Sequence, residues 1–239
     1  MEISTDEFYE RLKISKVLPT TSAPPPGDFE RAYQELLQTH AGIVSIHLPG
    51  SLSATYSGAV AAARRVAPDR IVVIEGGHCS LGLGWLAERG LAEADQTNEL
   101  PDIADAVRAL IPRIRLFVAL DTLEFLQRGG RIGRVAALAG ALLNVKPLLK
   151  IEDGQVLPVE RVRSRGAALR RLRELTLEQG RLERIAVIEG DGAEAAAELV
   201  SMLSPSFPGI EIERGDVSPV VGVHGGPGIV AVVTLVANS

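Results

Sequence analysis

Hydroxyl and imidazole side chains without an acidic neighbour are the residues of this chain whose chemistry stands out. Thr21 and Ser22 precede a proline-rich turn, Ser53 and Thr55 lie in a Ser/Thr-rich loop, and His224 comes directly before Gly225-Gly226-Pro227-Gly228. Nucleophilic catalysis needs a nucleophile, its base and an orienting acid. Donors with no Asp or Glu beside them suit the holding of an anion instead. The residues therefore predict a binding site with no catalytic member.

Each candidate also has a plainer role. Thr20, Thr21 and Ser22 run into Pro24-Pro25-Pro26, and a backbone fixed by proline presents hydroxyls that lose little freedom on binding. An ordinary capped loop would use the same residues. Leu52-Ser53-Ala54-Thr55-Tyr56-Ser57 follows an apolar run and opens a helix, where free backbone N–H groups and the helix dipole favour an anion. Ser53 is equally suited to plain helix capping. His224 closes a β-branched run and leads into glycines that let backbone approach a ligand, with a proline to stiffen the turn.

The remaining titratable residues carry weaker signals. His47 and His78 lack such a setting, and His40 reads as a cap at a helix C-terminus. The four histidines have no metal-ligand spacing, and Glu75 forms no carboxylate–histidine pair, so no metal or other cofactor is expected. Arg128, Arg131, Arg134, Arg161, Arg163 and Arg165 crowd the second half. A solvated face accounts for most of them. Arg131 follows Gly129-Gly130, and its planar fork fits a phosphate or an acidic partner. No Gly-Lys-Ser/Thr follows those glycines, so nucleotide hydrolysis has no support.

Short β-branched runs alternating with helical patterns mark α/β construction with parallel pairing in the first half. Asp28 is placed as the cap of a helix carrying Phe29, Tyr33, Leu36 and Leu37. A buried strand over 42–48, an alanine-rich helix over 55–66, a strand over 71–75, a helix over 80–89 and a third strand over 115–120 follow. Beyond Pro112 the pattern changes. A short helix from Asp121 stops at Gly129-Gly130, an apolar helix covers 135–143, and strands over 148–151 and 156–162 flank an Asp153-Gly154 turn. A helix over 167–179, a strand over 185–189, a helix over 193–203 and strand-like runs around Ile210, Val221 and Val232 complete a mixed α+β half. The division is set at 1–113 and 114–239.

Composition excludes several classes. With 239 residues, 46% of them hydrophobic, the chain can bury a substantial core. A net charge of -5 gives no general attraction to nucleic acid or to anionic membranes. The lone Cys79 excludes an internal disulfide, suits a reducing cytoplasm, and has no Lys or Arg close in sequence to activate it. No apolar run reaches the ~20 residues that span a bilayer, and the first residues lack a signal pattern. A cytoplasmic protein without stable membrane insertion is expected. At 4% aromatics a stacking platform is hard to build, so an apolar pocket would be lined by Leu, Val, Ile and Ala.

Taken in order, the segments resemble the DegV family of bacterial fatty-acid-binding proteins. The matching residues are Thr21-Ser22 with Pro24, Gly27 and Phe29; Leu52-Ser53 with Thr55-Tyr56; Ser80 with Gly82 and Gly84; Leu123-Glu124-Phe125-Leu126 with Gly129-Gly130-Arg131-Ile132-Gly133; Leu143-Asn144-Val145-Lys146-Pro147; Val162-Arg163; and His224 with Gly226-Pro227-Gly228. The resemblance implies a two-domain α/β protein enclosing one long-chain fatty acid, its acyl chain in the first domain and its carboxylate where the domains meet. It implies ligand contacts at Thr21, Ser22, Ser53, Thr55, His224, Gly225 and Gly226, with Arg131 and Arg163 facing a partner. In relatives that partner is a fatty acid kinase that phosphorylates the bound carboxylate, and the acyl phosphate enters phospholipid synthesis. The binding protein is a lipid carrier and no enzyme.

The sequence departs from relatives at defined places. Their opening strand and Asp-Ser turn do not occur in this sequence. Pro49-Gly50 replaces a serine pair, Ala54 a glycine, Pro25 a serine and Gly225 a threonine. Two other readings use the same residues: a Ser/His hydrolase of a lipid-like ester built on Ser22 or Ser53 with His224, and a regulatory interaction module using the arginines. The hydrolase lacks a Gly-X-Ser-X-Gly elbow.

Overall fold

In the computed structural model, residues 3–138 and 145–238 are described. Helix α1 (Thr5–Ile14) starts where Ser4 accepts a hydrogen bond from the Glu7 amide, with acids in its first turn and bases in its last, as the helix dipole favours. Its buried face of Phe8, Tyr9 and Leu12 packs with Phe125 and Val223. That packing places the residues up to Thr21 in one compact unit with 115–152 and 156–239, while 22–114 and 153–155 form a second, smaller unit. A division at 113 in the sequence assigns these first residues to the first domain instead. The apolar stripe of α1 finds its cover some 200 residues further along the chain, and no local pattern announces such a partner.

The smaller unit contains α2 (Pro26–Leu36), β1 (Ile43–His47), α3 (Thr55–Val66), β2 (Ile71–Glu75), α4 (Leu81–Ala94) and α5 (Leu100–Leu110). Helix α2 begins at Pro26, not at Asp28, because proline at the first helical position has no N–H to leave unsatisfied. Pro25 stands at the cap without a side-chain bond, and Asp28 lies in the first turn. His40 does close this helix, its Nδ1 lying 3.1 Å from the Leu36 carbonyl. Strands β1 and β2 pair in parallel from Ile43 opposite Ile71 to His47 opposite Glu75, with α3 as the crossover. Ala59, Ala62 and Ala63 have no bulk to hold α3 away, so it packs closely with Tyr33 and Ile71.

Among the described residues this sheet has only those two strands. The third run, which begins the strand at Ile114, joins the other sheet, and none of the five β1 residues is fully buried. The expectation of a buried β1 is corrected. With a single neighbouring strand, Ile43, Val44 and Ile46 stay half-covered.

The larger unit continues with β3 (Ile114–Ala119), α6 (Glu124–Arg128), β4 (Lys146–Glu152), β5 (Gln155–Val162), α7 (Arg165–Leu177), β6 (Leu182–Gly190), α8 (Ala193–Leu203), β7 (Ile212–Asp216), α9 (Pro219–Gly225) and β8 (Ile229–Val236). Its sheet runs β5-β4-β3-β8-β6-β7. Pairing is mixed: β3–β4 and β6–β8 are antiparallel, β6–β7 parallel. Leu169 and Leu172 of α7 and Leu199 and Leu203 of α8 bury against Ile185, Val230 and Val232.

Two local expectations change here. Residues 133–138 form a 3-10 turn, and the rest of the apolar helix expected over 135–143, with the Leu143-Asn144 match, lies outside the described residues. The run around Val221 is helix α9 and not a strand. Pro219 pre-sets the first turn, and Val223 is buried beside α1, so tertiary packing overrides the β preference of three valines.

Candidate functional site

Two groups of the expected site residues form local arrangements, one in each unit. In the larger unit Thr21 Oγ1 lies 2.9 Å from His224 Nε2. The imidazole sits in the last turn of α9, half-buried, rather than at the end of a strand. Burial first and the Arg131 charge second lower its pKa, so the ring is neutral at pH 7. No carboxylate is among the groups shifting it.

The Gly-Gly pair has two separate physical reasons. Gly130, at φ 70°, supplies the left-handed residue that ends α6, with the Arg131 amide on the Leu126 carbonyl at 2.9 Å and the Gly130 amide on the Gln127 carbonyl at 3.1 Å. Gly129 has an ordinary φ of -76°. What it needs is the absence of a side chain: a Cβ there would overlap Nδ1 of His224 and lie 3.0 Å from its Cε1. Arg131 in turn donates to the Gly129 carbonyl at 2.7 Å. The guanidinium thus braces the wall behind the imidazole.

That wall decides the tautomer. Nδ1 of His224 is buried and meets no hydrogen-bond partner. A hydrogen there would be a stranded donor, which costs more than a bare acceptor. The hydrogen therefore belongs on Nε2, which donates to Thr21 Oγ1, and the Thr21 hydroxyl keeps its own hydrogen to donate outward. That outward hydrogen is used by neither residue of the pair and can be given to an acceptor.

The loop after His224 is held from below. Gly226, at φ 79°, packs on the Phe125 ring, where a Cβ would collide, and its amide is bonded to the Gly222 carbonyl at 2.8 Å. Its contribution is shape. A Cβ on Gly225 would approach Ile229 Cδ1 to 2.7 Å, so the threonine of relatives has no space here unless Ile229 moves. Arg165 donates to the Gly228 carbonyl and, at 3.1 Å, to Asp121, which also pairs with Lys146 at 3.0 Å.

In the smaller unit Ser53 Oγ lies 2.8 Å from Thr55 Oγ1 and accepts the Thr55 amide at 3.3 Å. Ala54, not Ser53, occupies the capping position of α3. Ser22 is exposed and belongs to this unit, whereas Thr21 belongs to the other. Arg163 is exposed. Cys79 is half-buried, its thiol pushed up to about 11 by desolvation, and suits no nucleophilic role at neutral pH. Among the described residues no group of three His, Cys, Asp or Glu is placed to hold a metal, and no helix is long and apolar enough to cross a membrane.

Sequence reasoning passed over His47. The structure ties it through Ser45 to Tyr33, at 2.7 and 2.8 Å. The available signal was the Ser-X-His spacing, which puts both residues on one strand face.

The neutral His224 predicts a pH effect on stability. Its folded pKa is below the unfolded value of about 6.5, so the stabilisation is complete above that value and is lost as pH falls through the folded pKa. Urea midpoints should drop from pH 7.5 toward 5, and His224→Asn should flatten part of that slope. His47, also lowered by burial, accounts for a further part with the same sign. An unchanged slope in the variant would show that the imidazole is not confined as described.

Comparison with known proteins agrees with this architecture. The family model described as uncharacterised protein, DegV family, matches residues 1–237. A DegV domain-containing protein of Streptomyces coelicolor is 35% identical over 97% of this chain and 83% of its own length. Among solved structures, a fatty-acid-binding DegV family protein from Thermus thermophilus is 30% identical with a TM-score of 0.89, covering 99% of this chain and 85% of that one. DegV from Bacillus subtilis, described as a fatty acid binding protein, is 32% identical with a TM-score of 0.87 at the same coverage.

Proposed function

Because the chain belongs to the DegV family, we propose that it binds a long-chain fatty acid and presents the acid's carboxylate to a fatty acid kinase. The observation that carries this reading is the Thr21–His224 pair, which has a hydrogen to donate and no acid beside it. A carboxylate taken from water without such donors would protonate or stay out. Ser53 and Thr55 are the further hydroxyl donors of the proposal, and Gly225 and Gly226 shape the loop that carries the histidine. Solved relatives described as fatty acid binding proteins support the ligand class.

The apolar part of the ligand is assigned to the smaller unit, where Ile43 on one face of β1 and Val44 and Ile46 on the other are half-covered. Each methylene moved out of water contributes about 0.8 kcal/mol. A long chain therefore supplies most of the affinity, and the polar donors set its register. Transfer of a phosphoryl group to the carboxylate oxygen, with release of the nucleoside diphosphate, is the kinase's chemistry. In this reading the protein holds the acid so that its own carboxylate oxygen is the acceptor, and contributes no catalytic group.

Native mass spectrometry of delipidated protein mixed with octadecanoic acid should show one bound acid. His224→Ala should weaken binding of the ionised acid about tenfold, the worth of one hydrogen bond to a charged group. Binding of the methyl ester should hardly change. Equal losses for acid and ester would remove the histidine from the clamp, and hydrolysis of the ester would favour the hydrolase reading. Arg163→Ala should leave binding intact and slow phosphorylation by a cognate kinase; an unchanged rate would take that arginine out of the partner surface.

A further inference from the structure

Tyr33, Ser45 and His47 form a hydrogen-bonded row in the smaller unit that carboxylate binding does not use. Tyr33 comes from α2, and Ser45 and His47 occupy alternate positions of β1, hence one face of the sheet. Tyr33 Oη lies 2.8 Å from Ser45 Oγ, which lies 2.7 Å from His47 Nε2. Apolar groups flank the row, while Glu75, the register partner of His47 on β2, lies on the same sheet face with its carboxylate accepting the Gly50 amide at 2.6 Å. Phe29 stands edge to face with the imidazole at 5.4 Å between ring centres, and Ile43 and Val73 pack into the same cluster as Tyr33.

Counting hydrogens shows that the row is incomplete. A phenol, a serine hydroxyl and a neutral imidazole hold three polar hydrogens, and the two contacts use two of them. Burial raises the Tyr33 pKa and lowers that of His47, so both groups stay neutral. Tyr33 is only 3% exposed, and an O–H turned away from Ser45 would be stranded in the core. The phenol therefore donates to Ser45, the serine to Nε2, and the spare hydrogen rests on Nδ1 of His47. No partner meets that Nδ1 among the described residues. Unlike Nδ1 of His224, it is not sealed off.

We propose that His47 Nδ1, fixed by Ser45 and Tyr33, is a recognition site for an oxygen carried along the hydrocarbon chain, so that hydroxy or keto fatty acids are preferred ligands. The inference rests on the fatty-acid reading and deepens it. A saturated hydrocarbon offers that N–H nothing, and an oxygen at the right carbon completes the row. Water left there beside a plain chain would have to be either trapped or displaced without replacement.

The test is the affinity of the intact protein for octadecanoic acid and for its monohydroxy positional isomers. At least one isomer should bind about fivefold tighter than the plain acid, the worth of one net hydrogen bond. His47→Phe should abolish that preference while plain-acid binding stays within about twofold, and Ser45→Ala and Tyr33→Phe should reduce it by loosening the imidazole. Binding of every hydroxy isomer no tighter than the plain acid would overturn the site, as would a preference surviving in both His47→Phe and Ser45→Ala. Failure to bind any of these acids would instead sink the fatty-acid reading, and this site with it.

Discussion

Gly129→Ala is expected to weaken fatty-acid retention at least as much as loss of the histidine itself, by about tenfold or more. The added methyl would occupy space held by Nδ1 of His224 and would also lie 3.0 Å from the Phe125 carbonyl, so it is the imidazole that has to move. Rotation of the ring breaks its contact with Thr21 and leaves the donor row without an anchor. Backbone strain does not enter, because φ at Gly129 is -76°, comfortable for alanine. Gly130→Ala supplies the opposite control. At φ 70° an alanine costs roughly 1–2 kcal/mol of stability, yet open space surrounds its Cβ, so ligand retention should change little. Calorimetric titration alongside urea unfolding separates the two. Wild-type affinity in Gly129→Ala would mean that the imidazole has another place from which to serve the ligand.

Tyr9→Ala is expected to cost about 3–5 kcal/mol, the range for removing a buried aromatic side chain. Tyr9 is 2% exposed, packs edge to face with Phe8, and donates through its hydroxyl to the Val217 carbonyl at 3.1 Å. Two glycines make its slot. A Cβ on Gly222 would come within 2.6 Å of the hydroxyl, and one on Gly190 would press on the ring and on Ile229. Burial, with Glu189, Asp191 and Asp216 nearby, raises the pKa of the phenol, which therefore stays a donor. Tyr9→Phe keeps the ring and loses the hydrogen bond, so it should cost only about 1 kcal/mol. Urea unfolding reads both. A Tyr9→Ala protein as stable as Tyr9→Phe would show that α1 is not fastened by this side chain.

The two predictions meet at α9. Its buried Val223 shares a cluster with Tyr9, and its next residue is His224. The helix whose valines read as a strand in the sequence carries the imidazole and receives α1. A β-branched run specifies only that side chains pack tightly. Which element they build is settled by what covers them, here α1 and Phe125 of α6, and by Pro219 at the first turn.

His47 shows the same limit for the proposed oxygen site. His224 was legible because glycines and a proline crowd around it in sequence. His47 has an unremarkable neighbourhood along the chain, and its partner Tyr33 comes from a separate helix. Gly129-Gly130 lies between these cases. The helix stop was written in the pair, since one glycine must take positive φ. The steric demand of His224, nearly a hundred residues away, was not.

By itself the sequence determined the alternation of α and β elements, the Asp153-Gly154 turn, the stop at Gly130, and donors with no acid to activate them. Each of these follows from forces acting over a few residues: backbone sterics, side-chain period and the local absence of charge. Only the tertiary structure decided that the first residues join the larger unit, that Val221 lies in a helix, which nitrogen of His224 and of His47 carries the hydrogen, and that Gly129 must lack a side chain. Those outcomes depend on burial and on contacts between distant segments, and neither exists until the chain has packed.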